Sequence, residues 1–304
     1  MDRNRLIIAG GTGFIGQSLI SDIQNQFDDI VVLTRSGSRD DGKVRYINWD
    51  AKTPGPWSEA MDGATAIVNV VGRTVDCRKT AANKAVILSS RVDSVNALAA
   101  GWRSVRNPPK VWIQSATAHI YGDTEDEALD ESSPIGTGFA PMVGTAWEKT
   151  FADANLPGVR RVVLRISFVL GKNAGALRTL GRLARLGLGG TVGNGRQYLS
   201  WLHVGDLNRI IAQALIDQSM EGMYIATSPQ PVTNAAFMKA LRKAVHRPWS
   251  PPVPVPLVRL GAWMMRTDPE LALLGRRLMP TRLMKEGFAF RFPDLNDALV
   301  DLLR

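Results

Sequence analysis

The stretch Leu6-Ile-Ile-Ala-Gly-Gly-Thr-Gly-Phe-Ile-Gly16 constrains the fold of this chain more than any other. Its leading apolar residues, Leu6 to Ala9, read as a short buried strand. Gly10, Gly13 and Gly16 follow at even spacing, and Ile15, Leu19 and Ile23 then recur as on one face of a helix. Strand, glycine turn and helix, in that order, are the setting in which such glycines bind a dinucleotide. Gly10 is expected to allow the tight turn. Gly13 is expected to let a pyrophosphate approach the backbone, and Gly16 to let helix pack on strand. The helix N-terminus then offers N–H groups and the positive end of its dipole to the phosphates.

The chain that follows alternates in the same way. Ile30–Thr34, Val44–Asn48, Ala66–Val71, Val111–Ser115 and Val159–Ile166 read as strands. Thr80–Ala100 carries a helical stripe of Ala85, Leu88, Val92, Val95 and Ala99, and a further helix is expected around Ala146–Ala154. This alternation predicts an α/β fold, a Rossmann-type doubly wound parallel sheet with a smaller C-terminal substrate lobe. The expected division is 1–170 for the dinucleotide-binding domain and 171–304 for the substrate lobe. Part of 200–230 is expected to pack back on the first domain.

Beyond Gly171 the sequence predicts helices at Leu177–Leu188, Leu207–Ile216 and Asn234–Val245, and a strand at Gly222–Thr227. A glycine-rich loop spans Gly187–Gly195, and Pro248–Pro256 reads as a rigid wall within the domain, with a polyproline ligand for a partner as the alternative. Gly287–Phe292 reads as strand-like.

With 304 residues, 45% of them hydrophobic, the chain can build one large α/β unit or two modest domains. Its single cysteine, Cys77, excludes an internal disulfide and fits a reducing compartment. The apolar run before the glycines is too short for a signal peptide, and no run reaches membrane-spanning length. The expectation is a cytoplasmic protein with no membrane partner. The net charge of +9 reads either as a solvated basic surface or as attraction for anionic ligands, which a phosphate-rich cofactor would satisfy. No nucleic-acid motif or lysine-rich tail is present, so no nucleic-acid partner is expected. No Cys/His spacing suits a metal.

The end of the second strand decides between two cofactors. NAD-specific proteins carry an acid there for the ribose hydroxyls, whereas this chain has Arg35 and Ser36. An arginine pairs with a ribose 2′-phosphate, so NADP(H) is the expected cofactor. Its expected contacts are Gly10, Thr12, Gly13, Phe14, Ile15 and Gly16 in the turn, Arg35 and Ser36, and Val71 and Gly72 after the fourth strand. Trp49 and Asp50 either flank the adenine or serve the core.

Several motifs together resemble the atypical and extended short-chain dehydrogenase/reductases. They are Gly10–Gly16, Asn69-Val-Val-Gly72, Ser115-Ala-Thr-Ala-His-Ile-Tyr-Gly122 and Trp201-Leu-His-Val-Gly-Asp206. Narrower marks are Ser90-Arg-Val92, Trp147-Glu148, Leu164–Gly171, Gly195–His203, Val232–Phe237, His246-Arg-Pro248 and Gly287–Phe290. By these the chain resembles the nucleoside-diphosphate-sugar epimerase-like family with its own C-terminal domain. The resemblance runs through essentially the whole chain.

In that superfamily a Ser or Thr after the fifth strand holds the substrate oxygen, and a tyrosine assisted by a lysine four residues on moves the proton. The resemblance places Thr117 at the Ser/Thr position. It places the tyrosine at Ala140 and the lysine at Gly144, so the usual relay is absent. Tyr121, His119, His203 and Lys149 are the substitutes within the sequence, with Thr117 and Tyr121 taken as catalytic. His119 and Arg196 are taken as substrate ligands, and Thr117, Arg165 and Arg196 are expected to converge. The function implied is an NADP(H)-binding, epimerase-like oxidoreductase for a sugar-like or anionic small molecule. The alternative is an NADP(H)-sensing regulatory or interaction protein without turnover. A homodimer is left open.

Overall fold

The computed structural model describes residues 4–303 apart from Glu125 and Asn173. Arg5–Ala9 (β1) is followed by the glycine turn and Phe14–Ile23 (α1). Next come Asp29–Thr34 (β2), Arg39–Asp41 (β3), Val44–Asn48 (β4), Ala66–Asn69 (β5), Ala81–Ser104 (α2) and Val111–Thr117 (β6). Ala128–Leu129 (β7), Phe139–Ala152 (α3), Arg160–Ile166 (β8) and Phe168–Leu170 (β9) lead into Gly175–Arg185 (α4). Tyr198–Leu199 (β10), Trp201–His203 (β11), Val204–Ile216 (α5), Gly222–Ala226 (β12), Val232–Thr233 (β13) and Asn234–Ala244 (α6) follow. The chain ends through Val255–Met264 (α7), Glu270–Leu273 (α8), Arg277–Leu278 (β14), Thr281–Lys285 (α9) and Leu295–Leu303 (α10).

The central sheet has the order β12-β8-β6-β5-β1-β2-β4-β3. All its pairings are parallel except that of β3 with β4. The chain winds outward from β1 in one direction through β2 and β4, and in the other through β5, β6, β8 and β12. The crevice for a ligand therefore opens beyond the carboxyl ends of β1 and β5, where the order reverses.

The strands are buried on both faces, which is why they read as continuous apolar runs. Leu6 and Ile8 of β1 pack with Leu19, Ile20, Leu207, Ile210 and Ile211 of α1 and α5. Ile7 and Ala9 point the other way, onto Val95, Leu98, Trp112, Trp147 and Phe151. The smaller lobe has its own core, in which Leu177, Ala184, Phe237, Leu241, Leu299 and Leu302 bring α4, α6 and α10 together. Among the described residues no helix is long and apolar enough to cross a membrane.

Several expectations need correction. α3 begins at Phe139, seven residues before the expected start, because Ala146 is the middle of its apolar face rather than its beginning. The stripe chosen for α2 is rotated: Ala85 is exposed and Leu88 and Val92 are half-buried, while the buried face runs Ile87, Arg91, Ser94, Val95, Leu98, Trp102. An arginine in the middle of the buried row hides its helical period. Gly287–Phe292 pairs with no strand. Its Arg291 and Phe292 N–H groups instead donate to the fully buried carboxylate of Asp206, at 2.8 and 2.9 Å. The short hairpin strand β3, all of it exposed, carries no apolar signal.

Candidate functional site

The glycine turn has the shape of a cradle. Gly10 takes φ +85°, and a Cβ there would lie 2.9 Å from the Val70 carbonyl group. A Cβ on Gly16 would lie 2.5 Å from Gly11 Cα and 2.6 Å from the Gly10 carbonyl oxygen. Gly16 is thus required for the helix to close onto the turn itself. Gly13 differs: a Cβ there would meet only the Gly10 oxygen at 3.4 Å, and both Thr12 and Gly13 are exposed. No side chain caps the N-terminus of α1. Bare amides, the positive end of a dipole and open space beside Gly13 fit a pyrophosphate. Phe14 turns aside, with its ring against Gly171, while Ile15 packs on the core.

Arg35 and Ser36 are exposed at the end of β2, and no side-chain partner holds Arg35 among the described residues. Asn69, fully buried at the end of β5, donates to Gln114 at 3.0 Å and accepts from the Val71 N–H at 3.1 Å. That network fixes the backbone leading to the exposed Gly72 beside the cradle. Trp49 is buried against Trp57, with ring centroids 5.2 Å apart, so it serves the core. Asp50 accepts from the Lys52 and Thr53 N–H groups, which hold its carboxyl down to about 2.

Thr117 ends β6 and is half-buried, its hydroxyl accepting from the His119 N–H at 3.2 Å. His119 follows in a short 3-10 turn, Ala118–Tyr121, closed by Gly122 at φ +75°. Burial, and then the positive charges of Arg276, Lys79 and Arg91, hold the His119 pKa well below its usual value. The ring is therefore neutral at pH 7.

Tyr121 faces the core, 2% exposed, among Ile120, Leu129, Ile225 and Leu278. Its hydroxyl accepts from Arg165 at 2.7 Å, and burial pushes its pKa up despite that guanidinium. Arg165 is also held by both oxygens of Glu148, at 2.8 and 2.7 Å. Arg165 therefore does not converge with Thr117 on a ligand. Arg196 lies 76% exposed on its loop, where its guanidinium meets Asp126 at 3.4 Å. His203 caps α5 through the Gly205 N–H and stacks on Phe292, with centroids 3.9 Å apart. Lys149 pairs with Asp153 on the outer face of α3. Of the proposed substitutes for the relay, only His119 stands beside Thr117.

Of the two positions expected for the relay, Ala140 is half-buried and Gly144 is tightly packed. Gly144 of α3 faces the 3-10 turn, and a Cβ there would lie 3.0 Å from Ile120. The sequence marks Arg91 only as part of Ser90-Arg-Val92, with no role at the site, and does not mark Arg276. The signal for Arg91 was its place midway along the Ile87–Trp102 row; Arg276 carried none. Among the described residues no cluster of His, Cys, Asp or Glu is arranged to hold a metal ion.

Fold and cradle together define a Rossmann-like α/β protein. The family model described as "NAD dependent epimerase/dehydratase family" matches residues 6–224, and the chain belongs to that family. A second model, a domain of unknown function, matches residues 253–302. The chain is 32% identical to epimerase family protein SDR39U1 of Bos taurus, covering 98% of this chain and 99% of that one. A crystal structure of human epimerase family protein SDR39U1 with NADPH has a TM-score of 0.87 at 29% identity, covering 98% of this chain and 99% of the other. The nucleoside-diphosphate sugar epimerase from Corynebacterium glutamicum has a TM-score of 0.81 at 27% identity, covering 99% of this chain and 58% of that one.

Proposed function

We propose that the protein is an NADP(H)-binding, epimerase-like oxidoreductase acting on a sugar-like or anionic small molecule in the cytoplasm. The observation that carries this reading is the open, uncapped cradle at Gly13 with Arg35 free at the end of β2. The similarity to a protein crystallised with NADPH supports it. In this reading the amides of Phe14, Ile15 and Gly16 hold the pyrophosphate, and Arg35 and Ser36 hold the 2′-phosphate. Val71 and Gly72 give the cofactor a flat wall of backbone. Bound NADP(H) would exchange a hydride with the substrate carbon: the oxidised form would take it as the substrate hydroxyl loses its proton to His119, and the reduced form would return it as that proton goes back. Thr117 orients the substrate oxygen, and neutral His119 is the group beside it able to accept a proton. Tyr121 acts as a positioning residue that ties the 3-10 turn to β8 through Arg165.

A second reading, binding without turnover, is favoured by Gly144, whose packing against Ile120 leaves no room for the usual lysine. A panel of sugar nucleotides and carbonyl compounds, followed by NADPH absorbance, separates the two. Turnover that falls by roughly 10² in His119→Ala and Thr117→Val supports the first reading. No turnover on any compound, with NADPH bound, supports the second.

A further inference from the structure

Arg91 is a guanidinium buried without a carboxylate. Its residue is 8% exposed, on the inner face of α2. Nη1 donates to the carbonyls of Ile87 at 2.8 Å and Arg73 at 3.2 Å, while Nε is buried with no partner. The group lies 5.0 Å over the Trp147 ring. Its other end comes to the exposed Gly72, where a Cβ would stand 3.3 Å from both Cζ and Nη2. Nη2 has no protein partner among the described residues. Desolvation alone brings the Arg91 pKa down to about 10, with no acid offsetting it.

Arg276 approaches the same place from the C-terminal lobe. Its Nε donates to the Gly122 carbonyl at 2.9 Å, at the end of the turn that carries His119. Its two terminal nitrogens donate to no protein atom among the described residues. Burial brings its pKa to about 10, offset only by the charge of Asp123, whose carboxylate accepts from the Gly275 N–H. Lys79, the third cation around His119, is already paired with Asp268 at 3.2 Å.

A desolvated charge with no counter-charge costs a folded protein several kcal/mol, roughly, and neither guanidinium has a carboxylate on it among the described residues. Two of them around one histidine are retained where a ligand supplies the opposite charge. The cofactor's phosphates are accounted for by the cradle and Arg35. We propose that Arg91 and Arg276 hold an anionic group of the substrate, a carboxylate or a phosphate, against His119 and Thr117 at the ends of β5 and β6. The inference rests on the NADP(H) reading only for what lies next to this subsite. It narrows the substrate to acids and phosphorylated compounds.

The test is calorimetric titration of the full-length, NADPH-loaded protein with inorganic phosphate and, in a separate arm, with malonate, at constant ionic strength. The expected result is saturable binding of at least one anion, which also tells phosphate from carboxylate. That binding weakens roughly tenfold or more in Arg276→Gln and in Arg91→Gln, and is unchanged in Arg103→Gln, at an exposed position of α2 outside the crevice residues. NADPH affinity in Arg276→Gln stays at the wild-type value. If Arg91→Gln does not fold, Arg276→Gln decides, since it removes one loop contact. No saturable binding of either anion overturns the proposal, as does binding indifferent to Arg276→Gln. A tenfold loss of NADPH affinity in Arg276→Gln also overturns it, by assigning the cations to the cofactor. Failure of NADPH to bind at all refutes the function reading instead, and the same titrations on the unloaded protein still decide the subsite.

Discussion

At the scale of single residues, burial and the nearby cations Arg276, Lys79 and Arg91 set the environment of His119. Its folded pKa is depressed, so between its unfolded value of about 6.5 and the folded value the unfolded chain carries a proton that the native state refuses. Stability is therefore highest above that window and falls as the pH drops through it. Urea denaturation at pH 7.5 and 5.5, roughly one unit either side of the unfolded pKa, reads this directly. Wild type loses stability on acidification, and His119→Gln loses less. His203, also depressed by burial, remains in both proteins and cancels in the comparison. Equal losses in the two proteins would place His119 in a less hostile field than the one described.

At the scale of elements, the glycine turn shows how one motif divides its duties. A Cβ has room at Gly13 and none at Gly16. The backbone at Gly13 is extended, with φ −80° and ψ 173°, so a larger residue is not strained there. Gly13→Val should keep the wild-type melting temperature and lose NADPH affinity by roughly 10² or more, since the side chain occupies the ligand's space. Retained affinity in the folded variant would show the turn to be structural only.

These elements also mark what the sequence could disclose. The buried strands and the turn were legible because apolar runs and glycine spacing are local signals. The inner face of α2 was not, because Arg91 interrupts the apolar period and shifted the reading onto Ala85, Leu88 and Val92. Tyr121 reads as catalytic in the sequence because nothing local shows that Arg165, 44 residues further along and held by Glu148, donates to its hydroxyl in the core. Arg276 joins the site only through tertiary packing.

At the scale of the whole molecule, the C-terminal segment is bound to the Rossmann-like body at several places, two of which close it at either end. One is Asp206, fully buried at the first turn of α5, which receives the Arg291 and Phe292 N–H groups and Arg209. The other lies just before α2, where Arg78 donates to the Trp263 carbonyl at 2.7 Å and its own N–H to that of Arg266 at 3.0 Å. The sheet itself crosses the boundary drawn at residue 170, since β12 pairs with β8 and α5 packs on α1. Asp206→Ala should lower the unfolding free energy by roughly 3 kcal/mol, from the loss of charge-assisted bonds at a dry site. Amide exchange should rise first at residues 287–294. A variant as stable as wild type, with those amides still protected, would mean the segment is held by its apolar contacts alone.

The central claim is that the exposed cation at the end of β2 selects a phosphorylated dinucleotide. Parallel titration of NADPH and NADH into the protein, followed by cofactor fluorescence, tests it most directly. The account predicts NADPH binding tighter by roughly tenfold or more, with the preference erased or reversed in Arg35→Asp. Superimposable curves for the two cofactors in the unmodified protein would contradict it.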